Sequence, residues 1–310
     1  MLAYDQTPSI PRYAVIFRTH FWDEFAARQL DRVCKRVGHG DVFVLVDETG
    51  GKVEGITHDR VVRMTEADAT GMGLANRGEQ NLMWFNGDYP LYYFLRHHPA
   101  YDYYLQLEYD VVLNVDLDTL VARTAADGTD FLGLTKGEPV EEWAWRRTCV
   151  DTYAGDDIRY QLICFCLLSR RALEKLSARR LEMAASIRDD QAWPFCEGFI
   201  ATEIRLAGLN SRELSDYVDT TAYDTWPPYV ESDLQQMATK AIIHPVLDQN
   251  RYIASLLKYK VGLAGYLNPL SLFHRKLRRL PTRDYHQALA SSFASKAKRT
   301  LRSHGLLRTQ

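Results

Sequence analysis

Between residues 12 and 110 the chain alternates apolar, β-branched runs with amphipathic stretches, and that alternation limits it to few architectures. RYAVIFRTH (12–20), DVFVLVDETGG (41–51), DRVVRMTEAD (59–68) and YDYYLQLEYD (101–110) read as strands. FWDEFAARQLDRVCKRVG (21–38) places Phe21, Phe25, Leu30, Val33 and Val37 at helical spacing, and Gly38 stops it. NLMWFNGDYPLYYFLRHHP (81–99) reads as a loop and then a helix, with Pro90 near its start and Pro99 beyond its end. Strand–helix–strand alternation predicts an α/β fold, a mainly parallel sheet flanked by helices. Ligands of such sheets sit at the carboxyl ends of the strands. Arg18 with Thr19, Asp47, and Glu108 with Asp110 all fall at predicted strand ends. One cleft is expected to collect them.

The rest of the body continues the pattern less regularly. DFLGL (130–134) and QLICFCLL (161–168) read as strands, with an irregular, aromatic segment (136–160) between them that suits a loop beside a cleft. Residues 169–187 read as a helix capped by Ser169, and 188–210 as a loop followed by a helix that Gly208 closes. Residues 211–250 look mostly irregular apart from a short strand, KAIIH (240–244). The chain of 310 residues is long enough for a substantial core, and no internal repeat breaks it up.

The acids closing the strand 101–110 carry the chemistry. In an extended chain residues i and i+2 face the same way, so Glu108 and Asp110 are expected to point together, with Tyr109 turned away. Two carboxylates on one side make a partial site for a hard divalent cation such as Mg²⁺ or Mn²⁺, which takes oxygen ligands and substrate phosphates. Asp116 and Asp118 form a second such pair, and the alternative for either pair is a solvated turn. Glu197 stands just ahead of a helix whose Phe199, Ile200 and Ile204 face inward. A carboxylate there suits a general base for an acceptor hydroxyl, with favourable placement at a helix N-terminus as the plain alternative. Glu203 is the fallback. Trp143, Trp145 and Tyr153 are candidates for a sugar-stacking platform or for simple loop anchors.

The stretch YDYYLQLEYDVVLNVDLDTL (101–120) resembles the metal-binding strand of the GT-A fold of nucleotide-sugar glycosyltransferases, in which an acid-x-acid motif closes a central strand. Glu108 departs from the usual first Asp. The resemblance covers about residues 12–250, is most specific over 81–120, and is to the bacterial polysaccharide type. It implies a GT-A, Rossmann-like domain over 1–255 that moves a sugar from a nucleotide-diphosphate sugar to an acceptor hydroxyl with inversion. A retaining transferase and a non-catalytic membrane-associated protein that kept the fold are the alternatives. By the resemblance, Arg18, Thr19, Asp47 and Asp88 hold the nucleotide, Glu108 and Asp110 hold Mn²⁺ or Mg²⁺, His244 completes the metal shell, and Glu197 is the catalytic base. Asp47 reads equally as a turn cap before Gly50-Gly51, and Asp88 as a helix N-cap.

Composition adds the partners. The net charge is −2, yet residues 258–310 hold twelve Lys or Arg and one acid, Asp284, so the body is acidic and the end is basic. That segment, 256–310, is expected to form a basic helical extension that meets an anionic membrane surface, in keeping with a glycan or lipid-linked acceptor. No nucleic-acid motif accompanies the charge, so nucleic acid is not an expected partner. Five scattered cysteines, without a zinc-site spacing, read as free thiols. With no apolar leader and no run of about 18 apolar residues, a cytoplasmic protein is expected, peripheral on the inner membrane face.

Overall fold

The computed structural model describes residues 10–79, 81–258, 268–271, 275 and 290. These fall into two compact units, one within Met1–Asp224 and Ala238–His244, the other within Thr225–Met237 and Pro245–Gln310. The expected basic extension lies almost wholly outside the described residues.

In the larger unit the chain runs β1 (Tyr13–Thr19), α1 (Glu24–Cys34), β2 (Asp41–Asp47), β3 (Val61–Met64), α2 (Glu66–Gly71), α3 (Leu82–Phe85), α4 (Tyr89–His97) and β4 (Tyr103–Glu108). It continues through β5 (Val112–Leu113), α5 (Leu117–Ala126), β6 (Phe131–Leu134), β7 (Leu162–Ser169), α6 (Arg170–Ser186), α7 (Cys196–Leu206), β8 (Ser211–Glu213) and β9 (Ala222–Tyr223). A seven-stranded sheet has the order β3-β2-β1-β4-β7-β6-β8. Its pairs are parallel except those that β7 makes with β4 and β6. The expected α/β architecture with a mainly parallel sheet is therefore present.

Both faces of the sheet are covered, which is why its strands are apolar nearly throughout. In β1, Ala14 and Ile16 enter one core with Leu91 and Phe94 of α4, Leu173 and Leu176 of α6, and Phe199 and Ile204 of α7. Tyr13, Val15 and Phe17 alternate into the opposite core with Leu30 and Val33 of α1 and Leu120 and Val121 of α5. The period of two along the strand thus binds helices on either side.

Two expectations shift. The third strand is short because Thr65 caps a helix inside the segment: its side chain accepts from the Asp68 N–H, and Asp68 answers the Thr65 N–H, a reciprocal cap that ends β3 at Met64. Asp116 and Asp118 serve structure. Asp116 caps α5 by accepting from Thr119 N at 2.7 Å. Asp118 is buried and accepts from Tyr13 Oη, from Gly38 N and His39 N at 3.1 Å, and lies 2.9 Å from His39 Nδ1. Gly38 permits this approach, since a Cβ there would lie 2.5 Å from Asp118 Oδ2.

A small three-stranded sheet, β5-β11-β9, includes β11 (Ile242–His244), antiparallel to β5 and parallel to β9. The second unit contains β10 (Tyr229–Val230) paired in parallel with β12 (Val246–Leu247), and α8 (Gln249–Lys258). Asp248 opens α8 by accepting from Arg251 N at 2.8 Å. Among the described residues no helix is long and apolar enough to cross a membrane.

Candidate active site

The carboxyl ends of β1, β2 and β4 open on a cleft of about 510 Å³ lined by Arg18, Thr19, Asp47, Glu108, Tyr109 and Asp110, with Trp84 and Pro90 on its wall. Parallel pairing explains the convergence. β1 lies between β2 and β4, with Arg18 beside Leu45 on one side and Glu108 on the other.

Arg18 is held before any ligand arrives. Its Nη1 donates to Gly87 O at 2.8 Å and its Nη2 to Met83 O at 3.4 Å, while Nη1 lies 4.0 Å from Glu108 Oε1. A guanidinium has five N–H donors, so these bonds fix its plane and leave donors for the cleft. Thr19 is buried, and its hydroxyl donates to Phe21 O at 2.6 Å, closing the turn after β1. Asp47 lines the cleft and accepts from Thr49 N at 2.9 Å, the bond of a turn cap.

Asp88 does not belong to the cleft. Its side chain is fully buried and paired with Arg180 at 2.7 Å, and it accepts from Tyr92 Oη at 2.9 Å. It occupies the N-cap position of α4 without a side-chain capping bond. Its carboxylate is committed to the Arg180 ion pair, so it is not available to a nucleotide. Arg180 in turn donates to Pro194 O at 3.1 Å and stacks 3.7 Å from the Phe199 ring centroid. The face of that ring favours the guanidinium charge, and Nη1 of the same group has no hydrogen-bond partner.

The strand stops at Glu108, and Tyr109-Asp110 form a turn closed by Val111 N to Glu108 O at 3.0 Å. The two acids therefore meet through a turn rather than as an extended pair. Tyr109 is not turned away. It lines the cleft and packs edge-on against Phe21 at 4.8 Å. Burial pushes Asp110 up to about 6, His244 opposing and Glu108 reinforcing the shift. Its Oδ1 is buried without a hydrogen-bond partner and lies 3.6 Å from His244 Nε2. That separation is too long for a hydrogen bond. His244 Nδ1 is 2.7 Å from Asp224 O, which can only accept, so Nδ1 carries a proton and Nε2 is the nitrogen that faces Asp110. A carboxylate oxygen without a hydrogen-bond partner and an imidazole nitrogen across such a gap are a donor pair that fits a shared divalent cation.

A further side chain enters this cluster from β7. Cys164 Sγ, a Glu108 oxygen and a His244 nitrogen all lie within 4.8 Å of one another. Burial and the charges of Glu108, Glu197 and Asp110 push the Cys164 thiol well up. Glu197 sits in the first turn of α7. Burial pushes it up to about 8, Lys136 opposing and Glu108 and Glu138 adding repulsion. Gly198 sets its position, because a Cβ there would meet Cys149 Sγ and Trp143 Cη2 at 2.7 Å. Only a residue without a side chain lets α7 approach this closely. Lys136 pairs with Asp224 at 2.8 Å, which ties the Glu197 side of the site to the His244 side.

The fallback acid Glu203 accepts from Tyr153 Oη at 2.8 Å and pairs with Arg179 at 3.1 Å. Trp143 and Tyr153 are buried, and Trp143 stacks on Tyr160 at 4.6 Å, so these two anchor the loop. The tryptophan that is open is Trp84, 47% exposed on the cleft wall and 5.6 Å from Trp145. Cys164, Lys136 and Asp224 were not read as site residues from the sequence. Their signal is the pairing of strands, which no local spacing carries.

No family model and no curated protein matches this chain. Among solved structures, mouse xyloside xylosyltransferase 1 in its apo form matches at a TM-score of 0.41 and 12% identity over 75% of this chain and 97% of that one. An active-site mutant of LgtC matches at 0.41 and 11% over 90% of this chain and 95% of that one. At these values neither likeness assigns an activity.

Proposed function

We propose that the chain is a metal-dependent GT-A glycosyltransferase that moves a sugar from a nucleotide-diphosphate sugar to an acceptor hydroxyl with inversion. One observation carries the reading. Glu108 ends the strand and Asp110 the turn after it, between an anchored arginine and a histidine whose Nε2 lies 3.6 Å from an Asp110 oxygen that has no hydrogen-bond partner, at a cleft of about 510 Å³.

In this reading the wall from Arg18 to Asp47 receives the nucleotide, with Asp47 accepting from a ribose or base hydroxyl or N–H and Arg18 facing the diphosphate. Glu108, Asp110 and His244 would hold Mn²⁺ or Mg²⁺, and the bound ion would supply positive charge for the diphosphate as it leaves. Glu197 accepts the acceptor's proton as that oxygen bonds to the anomeric carbon, while the bond from that carbon to the phosphate oxygen breaks on the opposite face. Lys136 counters the repulsion on Glu197. Trp84 offers an apolar surface to a base or sugar ring.

Thermal shifts with UDP-, GDP- and CMP-sugars, each with and without Mn²⁺, test the reading. A stabilisation that needs both metal and one nucleotide family is expected, followed by slow donor hydrolysis that Glu108→Ala abolishes. No shift with any pair would end the proposal, and a product that keeps the donor's anomeric configuration would replace inversion with retention. The basic residues of 275–308 extend the proposal to an anionic surface, in keeping with a lipid-linked acceptor. The full chain should float with anionic vesicles and a chain ending at residue 269 should not.

A further inference from the structure

The second strand at the metal site brings a donor of a different kind. β7 runs antiparallel to β4, with Gln106 opposite Cys166 and Leu107 opposite Phe165. Continuing that register sets Cys164 across from Glu108, and side chains opposite one another in a pair of strands share a face. The observed geometry agrees, since Sγ, the Glu108 carboxylate and the His244 ring nitrogen lie within 4.8 Å of one another. Asp110 stands outside these three but neighbours the cluster through its Oδ1, 3.6 Å from His244 Nε2. Cys164 forms no disulfide.

We propose that Cys164 is a ligand of the ion held by Glu108, Asp110 and His244, so that this site takes Zn²⁺ or Co²⁺ in preference to Mg²⁺. The proposal rests on the metal reading of the other three residues. Its chemistry is that of the donor set. Two carboxylates, one imidazole and one sulfur match the ligands of zinc and of borderline transition ions. Mg²⁺ prefers an octahedron of oxygens and several of its own waters, and sulfur offers it little. On ligation the thiol gives its proton to solvent and the sulfur–metal bond forms, so one proton is released per ion bound. A serine or alanine at this position would leave an oxygen-rich site of the ordinary hard type.

Co²⁺ titrated into the metal-free full-length protein provides the test without reference to activity. A near-ultraviolet sulfur-to-cobalt charge-transfer band is expected beside the visible d–d bands. Cys164→Ser should remove that band, raise the Kd for Zn²⁺ and Co²⁺ by about tenfold or more, and leave Mg²⁺ binding nearly unchanged. Visible bands that Glu108→Ala removes, with no charge-transfer band in the parent protein, would overturn the role of Cys164 and leave the metal site standing. A charge-transfer band that survives Cys164→Ser belongs to another cysteine and overturns it too. No cobalt spectrum at all, or one indifferent to Glu108→Ala and His244→Ala, overturns the metal reading and this inference with it. If Cys164→Ser fails to fold, alkylation of the parent protein decides. Zn²⁺ should protect Cys164 and leave Cys34 reactive, and equal reactivity with and without Zn²⁺ overturns the ligand.

Discussion

Glu197 concentrates the physical tension of the site in one side chain. A carboxylate in the first turn of a helix is ordinarily favoured by the N–H groups there. Here burial and the neighbouring acids dominate and push it up to about 8. In the proposed reading this half-buried carboxyl, next to Gly198, takes the proton of the acceptor hydroxyl. Glu197→Gln keeps shape and removes basicity. Transfer to the acceptor should fall by about 10²–10⁴-fold, while the Kd of the nucleotide-sugar donor stays within a few fold. Steady-state kinetics and calorimetric titration of the same variant read both numbers. Unchanged turnover would reassign Glu197 to a structural role. Asp88 teaches the opposite lesson at this scale. A carboxylate near a cleft in sequence is, in space, the partner of a buried arginine.

At the scale of elements, the site depends on how β6, α6, α7 and β8 are tied together. Asp130 stands just before β6, nearly fully buried, and accepts from Ser169 Oγ at 2.7 Å, Arg171 Nε at 3.1 Å and Asn210 N at 3.0 Å. It joins the start of α6 to the approach to β8. Burial works against its charge, but the bonds from Arg171, Ser169 and Asn210 outweigh that and hold its carboxyl below the usual range. The unfolded chain therefore binds this proton more readily. The stabilisation is present above the unfolded carboxyl value and is lost as pH falls through the folded one. Asp130→Asn should cost about 1.5–3 kcal/mol at neutral pH. Its gap to the parent should narrow below about pH 4, as denaturant melts at several pH values would show. Gly198→Ala belongs to the same scale. Its methyl group would press on Cys149 and Trp143, and a loss of about 1–3 kcal/mol is expected from thermal or urea melts, together with weakened transfer as Glu197 moves.

At the scale of the larger unit, the Asp88–Arg180 pair joins the start of α4 to α6 and, through Pro194, to the segment entering α7. Both side chains are fully buried, so removing one leaves the other charged without compensation. Asp88→Ala should destabilise by about 3–5 kcal/mol. Arg180→Met added to it should recover a large part of that loss, because the orphaned cation is then gone and its apolar stem is retained. Calorimetric melts of the single and double variants check this. If the double variant is as unstable as the sum of the singles, the pair is not what joins these helices.

The amino-acid sequence by itself determined the layered α/β architecture and the ends of β1, β2 and β4, because apolar periodicity and strand termination are local properties of the chain. Arg18, Thr19, Asp47, Glu108 and Asp110 were legible for that reason, and they line one cleft. Tertiary structure alone decided that Asp88 faces Arg180, that Tyr109 turns into the cleft, that Trp84 rather than Trp143 is open, and that Cys164 stands across from Glu108. Each of these depends on which distant segment lies alongside, through the antiparallel register of β7 or the packing of α6 on α4. Spacing along a chain carries the facing of a residue, whereas its neighbour across a sheet is set only when the strands pair.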